Sequence, residues 1–226
     1  MKIGILLTGH APDALIGETG DYDRFFKNLL GPQNFEFATY AVVDGQFPDC
    51  ADAADGWLIT GSRHGVYEDH PWIPPLEALI REIRDQGQPL IGVCFGHQII
   101  AQALGGKVEK FKGGWAVGPT KYDLGGQSVT VNAWHQDQVV ALPEGARVLG
   151  SNAFCQNAMV AYGDNIWTIQ AHPEYDNTFI DGLIRTRGRG VVPDTVLDDA
   201  TRRLDTALDS PAIGQQMVDF YKKARA

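Results

Sequence analysis

Apolar and polar positions change period several times along the chain. Residues 2–8 are a short apolar run ending at Thr8-Gly9, the pattern of a buried parallel strand. From Asp21 to Leu30, Tyr22, Phe25, Phe26, Leu29 and Leu30 recur at helical spacing, and Gly31-Pro32 stops the stripe. Phe35 to Val43 and Trp57 to Thr60 read as strands, the latter ending at Gly61-Ser62. Pro75 to Gln86 predicts a helix with Leu76, Leu79, Ile80 and Ile83 on one face. Pro89 to Val93 predicts a buried strand, and Phe95 to Leu104 a helix closed by Gly105-Gly106. Strands alternating with helices argue for an α/β fold with an open, largely parallel sheet flanked by helices.

Between about Lys107 and Gln170 the texture shifts. Val108, Val117, Val129–Val131, Val148 and Met159–Tyr162 mark short strands separated by Gly-rich turns. Gly163-Asp164-Asn165 predicts a hairpin between Val160 and Ile166. This small β-rich extension is expected to lengthen the same sheet and to add a ribbon. Beyond Asp176 helix formers return, most clearly over Thr195–Leu208 and Ile213–Lys223. There is no repeat, low-complexity tract or linker. One domain over residues 1–226 is expected, with residues about 180–226 a helical C-terminal extension.

Composition removes several classes. The 226 residues carry 19 Lys+Arg against 28 Asp+Glu, a formal charge of −9, which repels phosphate backbones and argues against nucleic-acid binding. Cys50, Cys94 and Cys155 are an odd count, far apart, with no CxxC pair for zinc. The N-terminal apolar run is too short for a signal peptide, and no run approaches 18 apolar residues. A reducing cytoplasm and no membrane association are the expectations.

Candidate chemistry concentrates at Cys94. A buried strand runs into a helix with Gly92 and Gly96 two positions either side of the thiol, the arrangement of a nucleophile elbow with sulfur in place of oxygen. A helix N-terminus favours thiolate over thiol, and the Phe95 N–H points where an oxyanion would develop. A thiolate that attacks amides needs a base and a group to orient it. His172 follows an apolar strand, and Pro173 biases it towards extended backbone. Glu174, at i+2, shares its face. His97 reads as packing or bonding locally. His64 and His70 lie in a loop and His10 follows the first strand, without recognisable metal-ligand spacing, so no metal and no cofactor are expected.

These residues resemble the class I (triad) glutamine amidotransferases, whose signature is Gly-x-Cys-x-Gly followed later by His-Pro-Glu. Here the matches are Gly92-Val-Cys94-Phe-Gly96-His97-Gln98 and His172-Pro173-Glu174. Ile59-Thr60-Gly61-Ser62 is similar to the family's loop that supplies a second oxyanion N–H, from Gly61 or Ser62. Ala133-Trp134-His135-Gln136-Asp137-Gln138-Val139 resembles its Ser-His-x-Asp-x-Val segment. The resemblance covers about residues 1–180 and implies a flavodoxin-like fold. It also implies attack by Cys94 on a γ-glutamyl amide, proton transfer by His172 and orientation by Glu174. Gly61 and Phe95 would form the oxyanion hole, and Gln98, His135, Gln136 and Asp137 would hold the substrate.

The chain ends about 50 residues past Glu174, so no fused ammonia-acceptor domain is expected, and neither a Walker-type nor a Gly-x-Gly-x-x-Gly loop occurs. Two activities follow from the resemblance. One is a glutaminase passing ammonia to a separate synthase subunit. The other is an independent γ-glutamyl peptidase, since Gly17-Glu-Thr-Gly-Asp21-Tyr22-Asp-Arg-Phe25 resembles that stand-alone branch. A silent binding protein on the same fold is the third reading, and a protease-like member of the wider Cys/His group a smaller one. Tyr67 and Trp72 read as packing residues, with a pocket wall as the alternative. Arg185, Arg187 and Arg189 form a local basic spot, read as a solvated helix end.

Overall fold

Each apolar run of the N-terminal half becomes a strand of one sheet. The computed structural model describes residues 1–32 and 35–224. In chain order the first elements are β1 (Lys2–Leu6), α1 (Asp13–Thr19), α2 (Tyr22–Leu30), β2 (Glu36–Tyr40), β3 (Gly56–Ile59), α3 (Ile73–Asp85), β4 (Leu90–Val93) and α4 (Phe95–Ala103). Then come β5 (Lys107–Lys110), β6 (Ala116–Leu124), β7 (Gln127–His135), β8 (Asp137–Ala141), β9 (Ala146–Ser151), β10 (Met159–Tyr162) and β11 (Ile166–Ile169). The chain finishes with α5 (Asn177–Leu183), a π-helical turn over Ile184–Gly188, α6 (Asp194–Arg202) and α7 (Ser210–Lys223). The last two residues of the 180–226 stretch lie outside the described residues.

The sheet order is β2-β1-β3-β4-β11-β10-β9-β6-β7. The strands from β2 to β11 are parallel, and from β11 to β7 every pairing is antiparallel. β5 and β8 form a separate antiparallel ribbon. Strands β3, β4 and β11 are buried along their whole length, because helices cover both faces. Alternation divides their side chains. Trp57 and Ile59 meet Leu76, Ile80 and Phe95 on the side of α3 and α4, whereas Leu58 joins Ile3, Ile5, Phe26 and Met217 on the side of α2 and α7. A third cluster, with Tyr22, Tyr175, Phe179, Leu183 and Leu197, seats α5 and α6 beside the site.

The structure departs from the sequence reading in four places. The strand expected to run to Val43 stops at Tyr40, and Val42–Asp44 turn in a 3₁₀ helix whose Val43 N–H donates to Leu7 O (3.2 Å). The helix expected over Thr195–Leu208 ends at Arg202. Arg203 turns back instead, donating to the carbonyls of Pro119 and of Val117 (3.1 Å) on β6. Helix α1 has no fully buried residue and so no apolar stripe to read. The π-helical turn carries no sequence period that separates it from α-helix.

Candidate active site

Three neighbouring parallel strands, β3, β4 and β11, end side by side. The residues that follow them are Thr60-Gly61, Cys94 and, after Gln170-Ala171, His172. Open α/β sheets place their sites at such carboxyl ends.

Cys94 is the one non-glycine residue with positive φ (52°) among the described residues. L-residues resist that region, so the surroundings must hold it there. Backbone bonds do so. Cys94 N–H donates to Ile169 O of β11 (2.9 Å), and Gly96 N–H donates to Thr60 O (3.1 Å). Close approach explains both glycines. A Cβ on Gly92 would lie 2.6 Å from the backbone of Gly96, and one on Gly96 would run into the Ile59 carbonyl. Gly61 is equally constrained, since its Cβ would fall 2.9 Å from the His172 ring and 3.6 Å from Cys94 Cβ. The strand-three loop is thereby closed directly over Cys94. Phe95 is the first residue of α4, so its N–H lacks an intrahelical acceptor.

His172 is buried, and its Nδ1 lies 2.6 Å from Glu174 Oε1. The ring's other nitrogen is therefore left for Cys94, which lies beside the imidazole where both meet the Gly61 backbone. Burial alone would lower the His172 pKa. The coulombic pull of Glu174, and then that of Cys94, outweighs burial and raises it, which favours the imidazolium. Tyr175 stacks on the imidazole, ring centroids 4.1 Å apart and planes 6° from parallel. Asn132 on β7 clamps this turn, accepting from His172 N–H (2.8 Å) and donating from its amide to Tyr175 O (3.0 Å).

Cys94 and His172 open into a cavity of about 450 Å³. Along one end Gln98, one helical turn beyond Cys94, uses its amide nitrogen on Asp137 O (2.9 Å) and Gln170 Oε1 (3.0 Å), leaving its oxygen for a ligand. The Asp137 carboxylate accepts from Tyr67 OH (2.9 Å), and burial raises its pKa against Tyr67 and Lys110, which lower it. Tyr67 is 51% exposed and belongs to this wall, not to the core. Its own hydroxyl is pushed up to about 12 by burial and by Asp137. Trp72, by contrast, is core, packed on Phe95 at 5.4 Å. His135 lines the cavity with Nδ1 3.2 Å from Asp137 O, and burial drives its pKa down to about 3, so it stays neutral. Gln136 also lines the cavity.

The other nucleophile and ligand candidates sort apart. His97 points into the protein, its Nδ1 2.8 Å from Thr168 Oγ1 and its pKa lowered to about 3 by burial. Cys155 is buried and its thiol pushed up to about 12, while Cys50 is exposed. At the cavity rim Glu68 bridges His64 (3.3 Å) and His70 (2.8 Å), and these three ligand atoms lie within 4.8 Å of one another. They are the group among the described residues able to chelate a cation, a juxtaposition that the loop spacing did not announce.

Residues 40–184 match the family described as Glutamine amidotransferase class-I, which is more than half of the chain. The chain belongs to that family. Among curated relatives, gamma-glutamyl peptidase 4 of Arabidopsis thaliana is 35% identical over 183 residues, covering 73% of this chain and 72% of its own length. Gamma-glutamyl peptidase 3 of the same plant is 28% identical and covers 90% and 89%. A glutamine amidotransferase structure from Methylobacillus flagellatus superposes with a TM-score of 0.75 at 19% identity, over 99% of this chain and 94% of that one. The mixed sheet described above is thus the flavodoxin-like fold of class I glutamine amidotransferases.

Several residues of this amidotransferase site escaped the sequence reading. Tyr175 sits directly after the His-Pro-Glu string, and its stacking on His172 comes from the turn there and has no periodic signal. Tyr22, Trp115 and Leu183 line the cavity from α2, the loop before β6 and α5, and no local pattern links them.

Proposed function

We propose that the protein hydrolyses γ-glutamyl amides through a thioester on Cys94. The observation that carries this reading is the strained Cys94 at the start of α4, set beside a His172 whose Nδ1 is held by Glu174. Cys94 Sγ attacks the γ-carbonyl carbon and the carbonyl oxygen becomes an oxyanion, held by the N–H groups of Phe95 and Gly61. His172 gives its proton to the amide nitrogen as the C–N bond breaks, releasing the amine. It then takes a proton from water, which attacks the thioester to yield glutamate and free Cys94. Asp137, half-buried beside Tyr67, is the partner for the substrate's α-ammonium, with Gln98, His135 and Gln136 completing that end.

With glutamine as substrate the amine is ammonia, and a separate synthase subunit would consume it. A second reading, the independent γ-glutamyl peptidase, is favoured by the cavity's continuation past His172 along Tyr175, Tyr22 and Leu183, where ammonia needs no wall. The names of the relatives agree with it. The test measures glutamate release from L-glutamine and from a panel of γ-glutamyl amino acids and peptides, with Cys94→Ala alongside. Cys94-dependent release from any of them, falling by at least about 10³-fold in the variant, is expected. Release that survives Cys94→Ala would sink the proposal. Clearly faster turnover of glutamine than of every conjugate would leave the glutaminase reading.

A further inference from the structure

The arginines of Arg185-Thr-Arg187-Gly-Arg189 do three different things. Arg185 pairs with Asp181 (2.6 Å), and Arg189 pairs with Asp194 (2.6 Å) and Asp198 (3.1 Å), all on the exposed side. Arg187 lines the cavity, and among the described residues no carboxylate pairs with it. The π-helical turn Ile184–Gly188 sets it apart from its neighbours, and such turns recur at functional positions. The turn is tightly seated: a Cβ on Gly188 would lie 2.9 Å from Leu197 and 3.3 Å from Trp134.

Arg187 uses two of its donors, one on Tyr22 OH (3.3 Å) and one on His10 O (3.2 Å). Both acceptors are neutral. A guanidinium has five donors in a planar fork, so three remain, together with an uncompensated charge at a cavity wall. The group that matches this fork is a carboxylate, bound through paired N–H bonds.

Position says which carboxylate. From His172 the cavity runs past Tyr175, stacked at 4.1 Å, to Tyr22, whose centroid is 6.0 Å from that of Tyr175. Arg187 then caps the Tyr22 hydroxyl. His172 is the proton donor to the departing amine, so this end receives the amine side of the scissile bond, opposite Asp137. Two aromatic rings are a span that one to three extended residues cover at about 3.5 Å each. Tyr22, Tyr175, Trp134 and Leu183 belong to one apolar cluster and would flank the amine's side chains.

We propose that Arg187 forms a carboxylate subsite, so that the preferred substrates are γ-glutamyl amides whose amine is an amino acid or short peptide with a free C-terminal carboxylate. This deepens, and rests on, the hydrolase reading above. Hydrolysis would return glutamate and the free amino acid or peptide, with water the sole co-reactant.

The test compares γ-L-glutamyl-L-alanine and γ-L-glutamyl-glycyl-glycine with their C-terminal carboxamides, taking kcat and KM for the full chain, for Arg187→Met and Arg187→Lys, and for Arg63→Met at the other arginine lining the cavity. The wild type should favour each acid over its carboxamide by about 10- to 100-fold in kcat/KM, mainly through KM. In Arg187→Met that ratio should fall to near one, and Arg187→Lys should keep part of it. The ratio is taken within each variant, so a loss of folded protein cancels. An acid preference that survives Arg187→Met, or that Arg63→Met removes instead, overturns the subsite. So does a wild-type ratio near one with glutamine still hydrolysed, which leaves the hydrolase reading standing. If neither glutamine nor any of the four amides is cleaved, the hydrolase reading falls and takes the subsite with it.

Discussion

Cys94 and His172 owe their character to a few ångströms of surroundings. The positive φ at Cys94 is held by hydrogen bonds that the elbow's N–H groups donate to Ile169 O on β11 and to Thr60 O just past β3, and its side chain lines the cavity. The raised pKa of His172 depends on Glu174, whose charge offsets the penalty of burial. Replacing Glu174 with Gln removes the leading charge that raises it, so the imidazolium should deprotonate at lower pH. In the proposed hydrolysis His172 is protonated when it releases the amine, so the alkaline limb of kcat/KM should move to lower pH in Glu174→Gln, with kcat also reduced by about 10-fold or more. A pH–rate profile of both proteins checks this, and an alkaline limb that stays in place or moves upward contradicts the assigned role. His135 and His97, both held near pKa 3, should contribute no limb above pH 5 or so.

At the scale of elements the elbow is a packing problem. Strand β4 must turn into α4 while α4 lies flush against the end of β3, and only hydrogen fits at positions 92 and 96. Gly96→Ala drives a methyl group into the Ile59 carbonyl, which has no side-chain freedom with which to yield. We expect a loss of about 1–3 kcal/mol or more in urea unfolding, together with loss of alkylation at Cys94, because relief would come by moving α4 away from β3. Wild-type stability with normal Cys94 labelling would show that the close approach is not what sets the elbow. The turn after β11 has a comparable device in Asn132, which reaches from β7 to tie down both His172 and Tyr175. An antiparallel extension of the sheet thus positions a residue that belongs to its parallel half.

On the whole-molecule scale, the far end of the sheet is sealed by α7. Tyr221 is fully buried, donates to Trp57 O (2.7 Å) and packs edge-on against Phe35 at 5.9 Å. Tyr221→Ala should destabilise the fold by about 3–5 kcal/mol. Turnover per folded molecule should stay within about two-fold of wild type, because β3 carries the disturbance at its amino end and the site at its carboxyl end. Unfolding midpoints and active-site titration separate the two effects. Stability should also depend on pH through His172. Its folded pKa is raised above the ordinary 6.5, so its contribution is complete below that value and drains away as pH rises through the folded pKa. Glu174→Gln should weaken that alkaline loss, a change read from unfolding midpoints on either side of the limb.

What the sequence determined by itself is everything that neighbours along the chain can express. Apolar runs and helical stripes placed the core strands and α2, α3, α4 and α7 within a few residues, since burial imposes periods of 2 and 3.6 on the residues that face it. The glycines around Cys94 and the i, i+2 relation of His172 and Glu174 are local for the same reason. The pairing of β11 with β4 is not. It brings Cys94 and His172, 78 positions apart, beside one another, and no period along one chain encodes which strand will insert beside which. The same holds for Tyr22 and Arg187, which meet across 165 positions, and for the His64, Glu68 and His70 group folded together by its loop. Helix α6 ended early because Arg203 found carbonyls on β6, a partner its own helix could not reveal. Tertiary structure decided these matters because they turn on which distant surfaces share the space left once the sheet has closed.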